Sequence, residues 1–163
     1  MHAVVFNGPH DVAVREVAEP RITDPMDALV AVRAAAVCGS DLWTYRGMAS
    51  VAPGARIGHE FLGQVVDTGS LTDQVRVGDW VVAPFRYSDG QCEYCRAGLT
   101  SSCTHGGFWG REVLDAGQGE LVRVPFADST LVRIGDGDEP DESMLADLLT
   151  LSDVYPTGTH AVV

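Results

Sequence analysis

Three of the four cysteines lie close together in a glycine-rich stretch, and this cluster constrains the fold more than any other feature of the sequence. The run Asp89-Gly90-Gln91-Cys92-Glu93-Tyr94-Cys95 is followed by Cys103. The surrounding residues, about 86–120, contain seven glycines and show little hydrophobic periodicity. Such a segment has too few patterned apolar residues to be ordered by a core. We therefore expect a loop lobe that is organised around a bound ion.

The spacing of the cluster favours zinc. Two cysteines separated by two residues can bind one Zn²⁺ in tetrahedral geometry, because a tight turn places both sulfurs on one side. The three cysteines leave one ligand position to fill. Asp89 repeats the two-residue spacing, while His105 and Glu93 compete with it. A site with four protein ligands is structural, since no position remains for a substrate. A redox pair at Cys92 and Cys95, or unligated thiols, are the alternatives.

The composition is that of an acidic globular protein. The chain has 163 residues, 45% of them hydrophobic and 21% charged, and its formal net charge is −12. This acidity disfavours nucleic acid and anionic membrane surfaces as partners. The sequence has no run of 18 apolar residues, and its first residues, MHAVVFNGPHDV, lack the pattern of a signal peptide. We therefore expect a cytoplasmic protein with no membrane partner and with reduced cysteines.

Short apolar runs bounded by Gly, Pro, Asp or Ser predict a mainly β fold of the α+β class. Several short strands of this kind are typical of a barrel or a sandwich. The predicted strands are residues 3–6, 12–17, 28–37, 57–66, 80–83, 121–126 and 130–134.

A few short helices are expected between and after the strands. The first is predicted from residue 38 to about residue 46. A second begins near Asp138-Glu139-Pro140, because acidic residues and proline favour the first turn of a helix. A third is predicted to start after Pro156 and to continue to the last residue.

Three further residues that can bind a metal are spread along the chain. Cys38 lies in the sequence VCGSD, His59 in GHE and Asp153 in LSDV. Since no short spacing connects them, spacing alone does not predict a shared metal ion. A single cysteine with apolar neighbours is usually a core residue, and a single histidine is usually held by ordinary hydrogen bonds.

The order of the motifs along the chain adds a resemblance. The motifs are CGSD at 38–41, GHEFLG at 58–63, VGDWV at 77–81, the cysteine cluster, and LSDVYPTG at 151–158. Together they resemble the N-terminal catalytic domain of the zinc-dependent medium-chain alcohol dehydrogenases, and the resemblance covers residues 1–163. It implies the GroES-like fold, a partly open β-barrel, with a zinc-binding loop lobe.

The resemblance also implies roles for individual residues. The implied ligands of a catalytic zinc ion are Cys38, His59 and Asp153. Glu60 corresponds to a carboxylate that can enter the coordination shell of this zinc ion. Ser40 corresponds to the hydroxyl that passes the substrate proton outwards, and Asp41 to an acid that orients the histidine ligand. Asp79 corresponds to a structural acid in a turn.

Three positions depart from the usual pattern of this family. Asp89 stands where the first of four lobe cysteines is usual, which favours Asp89 over His105 as the fourth ligand of a structural zinc ion. Trp43 stands where many relatives have a histidine that extends the proton relay, so it is either a wall of the substrate pocket or barrel core. Phe108 and Trp109 either face the substrate as well or serve only in packing.

The resemblance implies a zinc-dependent oxidoreductase, the catalytic-domain portion of an NAD(P)-dependent alcohol dehydrogenase that interconverts alcohols and aldehydes or ketones by hydride transfer. Two zinc ions per chain are expected. Residues 135–138 form a turn, not a dinucleotide-binding motif, so NAD or NADP would bind through an absent Rossmann domain that follows a connecting helix at about 157–163. The 163-residue chain alone is then expected to be inactive.

The longer parent protein is expected to be a homodimer or homotetramer with a small-molecule alcohol or aldehyde as its substrate. The alternative is a stand-alone, non-catalytic zinc-binding module or a remnant domain. A strand, a glycine-rich turn and a helix encoded beyond residue 163 would distinguish the first hypothesis from the second.

Overall fold

The computed structural model describes residues 1–111 and 115–162. Its strands are β1 (His2–Gly8), β2 (Asp11–Glu16), β3 (Ala28–Ala36), β4 (Glu60–Thr68), β5 (Asp79–Ala83), β6 (Arg86–Tyr87), β7 (Gly107–Phe108), β8 (Leu121–Val124) and β9 (Val132–Asp136). Its helices are α1 (Asp41–Tyr45), α2 (Glu93–Arg96), α3 (Ala127–Thr130), α4 (Glu142–Leu149) and α5 (Val154–His160), with 3-10 helices at Thr100–Ser102 and Thr150–Ser152.

The central sheet has five strands in the order β8-β3-β4-β5-β9. Every neighbouring pair in it is antiparallel. Within the described residues β8 and β9 lie at opposite edges, so the sheet does not close into a barrel. The predicted fold class, mainly β with a few short helices, is confirmed, and the central sheet is open as expected.

Strand β4 is buried on both of its faces, and it separates two hydrophobic clusters. Phe61 belongs to the larger cluster, in which its ring meets the Trp109 ring edge-on with 5.2 Å between the centroids. Leu62, the next residue, faces the other way and packs with Trp80 and Leu145. Since successive side chains of a strand point to opposite faces, this one strand anchors the lobe on one side and helix α4 on the other.

Strands β3 and β4 approach unusually closely at Gly63. A Cβ atom at this position would lie 2.0 Å from the carbonyl oxygen of Ala31 and 2.9 Å from the Cα atom of Val32. The register also shifts between Val32 and Ala34, which marks a β-bulge. Glycine at residue 63 therefore permits the pairing that aligns the ends of these two strands.

The hairpin of β1 and β2 is joined to the rest of the molecule by isolated bridges. Ala3 pairs with Gly119, and Val5 pairs with Arg56. The segment before β4 is in turn hydrogen-bonded to the segment before β8, since the N–H of Gly117 donates to the carbonyl of Gly58. These contacts hold the residues that precede His59.

The segment predicted as a loop lobe at about 86–120 contains short elements: β6, α2, one 3-10 helix and β7. Strands β6 and β7 pair with Arg86 opposite Phe108. Residues 112–114 of the predicted lobe, and residue 163 of the predicted connecting helix, lie outside the described residues.

Most predicted boundaries differ from the structure by a few residues, and three of the differences involve helices. The helix expected from residue 38 begins at Asp41. Residue 130, predicted to start a strand, ends helix α3, because its side-chain hydroxyl donates to the carbonyl of Pro125 and its N–H to that of Phe126. Helix α5 begins before Pro156, at Val154. Proline is tolerated there because the N–H groups of the first turn have no partner within the helix.

No helix among the described residues has the length and apolar character needed to span a membrane.

Candidate metal centres

The sheet brings Cys38 and His59 together at one edge. Ala36, at the end of β3, pairs with Glu60, at the start of β4, so the residues just beyond each strand end are neighbours. Asp153 reaches the same place from the opposite end of the chain, between a 3-10 helix and α5. The N–H of Phe85 donates to the carbonyl of Ser152 over 3.0 Å, which fixes this segment beside the sheet.

The donor atoms of four side chains converge there. One ligand atom from each of Cys38, His59, Glu60 and Asp153 lies within 4.8 Å of the others. The Sγ of Cys38 is 3.6 Å from Oδ2 of Asp153, and Nε2 of His59 is 3.4 Å from the same oxygen. Thr157 donates to the other carboxylate oxygen of Asp153 over 2.8 Å, so Oδ2 remains directed at the cluster.

Asp41 orients the histidine of this cluster. Its Oδ1 is 3.2 Å from Nδ1 of His59, and its Oδ2 accepts the N–H of Cys38 over 2.9 Å. Gln118 also donates to Asp41 Oδ2, over 3.4 Å. Because Asp41 occupies Nδ1, Nε2 is the nitrogen of His59 that remains for a cation.

The surroundings of His59 attract positive charge. Burial lowers the pKa of His59, but the hydrogen bond and charge of Asp41, with a smaller contribution from Cys38, outweigh it and raise the pKa to about 9. A histidine whose pKa is raised by carboxylate and thiol neighbours lies in a site that favours a cation.

Glu60 gives the clearest evidence that this cluster fits a cation. The residue is 3% exposed, and its Oε1 is buried without a hydrogen-bond partner. The same oxygen lies 4.0 Å from Nε2 of His59. A buried carboxylate oxygen without a partner is costly, and a divalent cation held by sulfur, nitrogen and oxygen donors would satisfy it. The donor set of thiol, imidazole and carboxylates fits zinc.

A cavity of about 370 Å³ opens beside the cluster. Ser40, His59 and Asp153 are among the residues that line it. The Oγ of Ser40 is 3.3 Å from Nε2 of His59, so a hydroxyl group stands next to the nitrogen left for the cation. The volume is within the usual range for small-molecule sites.

An aromatic wall, formed by Phe85, Phe108 and Trp109, lines another part of the cavity. The rings of Phe85 and Phe108 are stacked with 6.1 Å between their centroids. Trp109 is also a core residue, since its indole N–H donates to the carbonyl of Pro84 and its ring packs in the larger hydrophobic cluster. Trp109 therefore both lines the cavity and packs in the core, as the two alternative predictions for it described.

A second donor cluster lies in the lobe. One ligand atom from each of Asp89, Cys92, Cys95 and Cys103 lies within 4.8 Å of the others. The Sγ atoms of Cys92 and Cys103 are 3.9 Å apart, and all four cysteines of the chain are free. The backbone N–H of Cys95 lowers the pKa of the Cys92 thiol to about 7. Burial raises the pKa of the Cys95 thiol to about 12, so a bound cation would be needed to hold it as the thiolate that metals bind. Three sulfurs and one carboxylate within this distance fit zinc.

His105 contacts the lobe cluster through Asp89. Its Nδ1 is hydrogen-bonded to Oδ2 of Asp89, while Oδ1 of Asp89 accepts the N–H groups of Gln91 and Cys92. Burial raises the pKa of Asp89, but the N–H of Cys92, His105 and the N–H of Gln91 outweigh it and keep the pKa well below its usual range. Asp89 is therefore held as a carboxylate, with His105 beside it.

Comparison with known proteins identifies the family. The sequence profile of the alcohol dehydrogenase GroES-like domain matches residues 24–136, well over half of the chain. The chain belongs to this alcohol dehydrogenase family.

Its curated relatives include enzymes with matching names. The chain is 43% identical to the medium chain reductase/dehydrogenase ucsI of an Acremonium species, over 97% of its own length and 53% of that protein. It is 41% identical to zinc-type alcohol dehydrogenase B of Aspergillus flavus, over 99% of its own length and 36% of that protein. This GroES-like domain thus spans about half or less of the length of these relatives.

A solved structure shows the same fold. Alcohol dehydrogenase TADH from Thermus sp. ATN1 superposes with a TM-score of 0.85 at 40% identity, over 94% of this chain and 44% of that one. The sequence-based assignment to the zinc-dependent alcohol dehydrogenases is therefore confirmed.

The structure of this alcohol dehydrogenase domain places most of the predicted site residues around the two clusters. Trp43 is an exception: its side chain is 56% exposed, and it is neither in the core nor among the residues that line the cavity. It lies on helix α1, where Thr44 faces the cavity instead. The helix turns adjacent residues to different sides, and the sequence did not indicate which one faces inward.

Sequence reasoning missed other residues of the site. Phe85 and Arg56 line the cavity, and Gln118 holds Asp41, but none of the three has a motif or spacing that points to this role. Arg111 also lines the cavity. Arg111 comes two residues after Trp109 in the sequence. This proximity to the predicted aromatic pair is the sequence feature that could have indicated its place in the cavity.

Proposed function

We propose that this chain is the catalytic portion of a zinc-dependent, NAD(P)-dependent alcohol dehydrogenase that interconverts alcohols and aldehydes or ketones. The observation that carries the proposal is the convergence of Cys38, His59 and Asp153 at one wall of a cavity large enough for a small substrate. Three protein ligands leave a catalytic zinc ion with an open position. The relatedness to zinc-type alcohol dehydrogenases supports the same reaction class.

Two groups would supply the reactive chemistry when bound: zinc is a Lewis acid for the substrate oxygen, and NAD(P) accepts the hydride. Cys38, His59 and Asp153 would hold the zinc ion, with the buried Oε1 of Glu60 close enough to take part. Asp41 keeps Nε2 of His59 directed at the cluster through its contact with Nδ1.

Ser40 is placed to move the proton. Its Oγ stands 3.3 Å from Nε2 of His59 and lines the cavity. In alcohol oxidation the Oγ accepts the hydroxyl proton of the substrate and releases its own proton to water. The reaction balances as alcohol plus NAD(P)⁺ giving carbonyl compound, NAD(P)H and H⁺. The aromatic wall excludes water from the carbon that loses hydride, which strengthens the electrostatic interactions inside the cavity.

The lobe cluster has a different proposed role. Asp89, Cys92, Cys95 and Cys103 form a complete set of four ligands, so this second zinc ion is structural and orders the lobe. Elemental analysis of the purified chain is expected to give about two zinc ions per chain by these ligand counts.

The activity is tested with a longer protein that contains this chain and has the length of its relatives. We expect alcohol-dependent reduction of NAD⁺ or NADP⁺, measured by absorbance at 340 nm, and its loss in Ser40→Ala with zinc content unchanged. Absence of turnover across primary, secondary and polyhydroxy alcohols, in a protein that carries both zinc ions, would count against the proposal.

A further inference from the structure

Two arginines, Arg56 and Arg111, line the cavity and have no role in the proposed reaction. Arg56 is already neutralised: its guanidinium is 2.9 Å from Oδ1 of Asp115. Asp115 is shared with Arg123, which also pairs with the buried Asp27 at 3.0 Å. These two arginines and two aspartates form a balanced network, so Arg56 brings no net charge to the cavity.

Among the residues that the structure describes, Arg111 has no such acidic partner. Within residues 1–111 and 115–162, no carboxylate lies within ion-pair distance of its guanidinium. The Cζ of Arg111 lies 5.6 Å from the centre of the Phe108 ring, which positions the side chain by a cation–π contact. Arg86 lies over the same ring at 4.8 Å, so two guanidinium groups contact the Phe108 ring.

The acids that face the cavity do not offset this charge. Among the described residues of its lining, Asp41 and Asp153 are the acidic ones. Asp41 is committed to His59 and to the N–H of Cys38, and Asp153 to Cys38, His59 and Thr157. A guanidinium without an ion pair to any described carboxylate is notable in a chain with 23 acidic and 11 basic residues. Its planar fork matches a carboxylate or a phosphate.

We propose that Arg111 binds an anionic group of the substrate, so that the preferred substrates are alcohols or carbonyl compounds that also carry a carboxylate or phosphate. This inference rests on the proposed function for the reacting end of the substrate. The hydroxyl or carbonyl lies at the Cys38–His59–Asp153 cluster, the aromatic wall contacts the carbon skeleton, and Arg111 holds the anion.

The test compares two ligands that differ only in the anion. The zinc-loaded 163-residue chain is titrated calorimetrically with 4-(hydroxymethyl)benzoate and with benzyl alcohol. We expect Arg111→Gln to weaken binding of the carboxylate about tenfold, the effect of one charge-assisted hydrogen-bonded contact, and to change benzyl alcohol binding less than about twofold. Arg111→Lys keeps the positive charge but loses the planar fork of the guanidinium. Its affinity for the carboxylate is expected to lie between that of the unchanged chain and that of Arg111→Gln.

Arg21→Gln is the matched control, because Arg21 is an exposed arginine that is not part of the cavity lining. It makes the same change in net charge and is expected to leave both affinities unchanged. Equal zinc content and equal far-ultraviolet circular dichroism show that each variant is folded. If Arg111→Gln leaves the preference for the carboxylate unchanged, or if Arg21→Gln alters it equally, the proposal is overturned.

A second arm separates the substrate from the cofactor, whose phosphates have the same chemistry. The same variants are titrated with ADP-ribose. An effect of Arg111→Gln on ADP-ribose with no effect on 4-(hydroxymethyl)benzoate would overturn the substrate proposal. These titrations measure binding and require no turnover. Their outcome therefore does not depend on whether a longer protein containing this chain reduces NAD(P)⁺. Turnover by the longer protein with no Arg111-dependent preference would contradict this inference alone.

Discussion

The two donor clusters use similar side chains but are assembled in opposite ways. In the lobe, Asp89 and Cys103 are 14 residues apart in sequence, and the whole cluster lies between them. In the cavity cluster, Cys38 and Asp153 are 115 residues apart, and the sheet must form before they can meet. Each cluster has four donors, but the local one lies within the lobe, whereas the dispersed one borders a cavity. Local assembly suits a structural ion, and dispersed assembly leaves room for a substrate.

The largest expected effect is that of His59→Ala in the longer protein. Removing this ligand takes away the Lewis acid that the proposed reaction requires, a contribution of several kcal/mol, so we expect NAD(P)⁺ reduction to fall by about a thousandfold or more. Zinc content is expected to fall from about two ions per chain to about one. Retention of both ions would show that the two clusters are not separate sites.

Asp89→Ala addresses the local cluster. Structural zinc sites bind with about 10–16 kcal/mol, so loss of one of four ligands is expected to cost roughly 3 kcal/mol, about a hundredfold in lobe zinc affinity. Competition with a colorimetric chelator measures this affinity, and the cavity zinc is expected to be unaffected.

His105→Ala is the matched comparison for Asp89→Ala, because His105 contacts Asp89 and lies outside the group of four donors. Its effect on lobe zinc affinity is expected to be smaller than that of Asp89→Ala. If His105→Ala removes the lobe zinc while Asp89→Ala retains it, His105 is the fourth ligand.

Gly63→Ala tests the dependence of the dispersed cluster on the sheet. The added Cβ would meet backbone atoms of β3, and such overpacking costs about 1–3 kcal/mol, which urea denaturation measures. Because β3 and β4 align Cys38 with His59, we expect zinc affinity at the cavity to fall while the lobe retains its ion.

Gly158→Ala makes the same substitution where nothing lies within 4 Å of the new Cβ. It is expected to be neutral or slightly stabilising, since alanine is favoured over glycine within a helix. Equal destabilisation by the two glycine substitutions would contradict the role assigned to the β3–β4 contact.

Asp41→Asn is expected to have a smaller effect than His59→Ala. Asp41 touches His59 and the Cys38 backbone and is not among the four donors. Loss of a partner that orients a ligand typically weakens metal binding by 10–100-fold. We expect a loss of about this size for the cavity zinc, measured by chelator competition, and none for the lobe. An unchanged cavity affinity would show that the sheet alone orients His59.

Much of the fold and of the two donor sets could be predicted from the sequence. Alternating apolar runs and turn residues indicated a mainly β domain, and the five ordered motifs indicated its family. The motifs also contain the residues that the structure brings within 4.8 Å of one another in each cluster. Short helical segments were harder to place. Helix α3 forms because residue 130 finds its hydrogen-bond partners in the preceding turn, and no periodicity in four residues reveals this.

The lining of the cavity was less accessible to sequence reasoning. Trp43 was expected to wall the pocket or to pack in the core, and it does neither, whereas its neighbour Thr44 faces the cavity. Arg56 and Arg111 carry the same charge in the sequence, but only the structure shows that Asp115 neutralises Arg56. Such differences depend on side-chain direction and on contacts between distant segments.

The sequence by itself determined the lobe cluster, because a spacing of two residues between donors brings them to one side of a turn whatever the rest of the chain does. It also determined the fold class through its hydrophobic pattern. Only the tertiary structure decided that Cys38, His59, Glu60 and Asp153 meet, that one oxygen of Glu60 is buried without a partner, and that Arg111 lines the cavity. The physical reason is that strand register and packing, rather than spacing along the chain, set the distances between residues far apart in sequence.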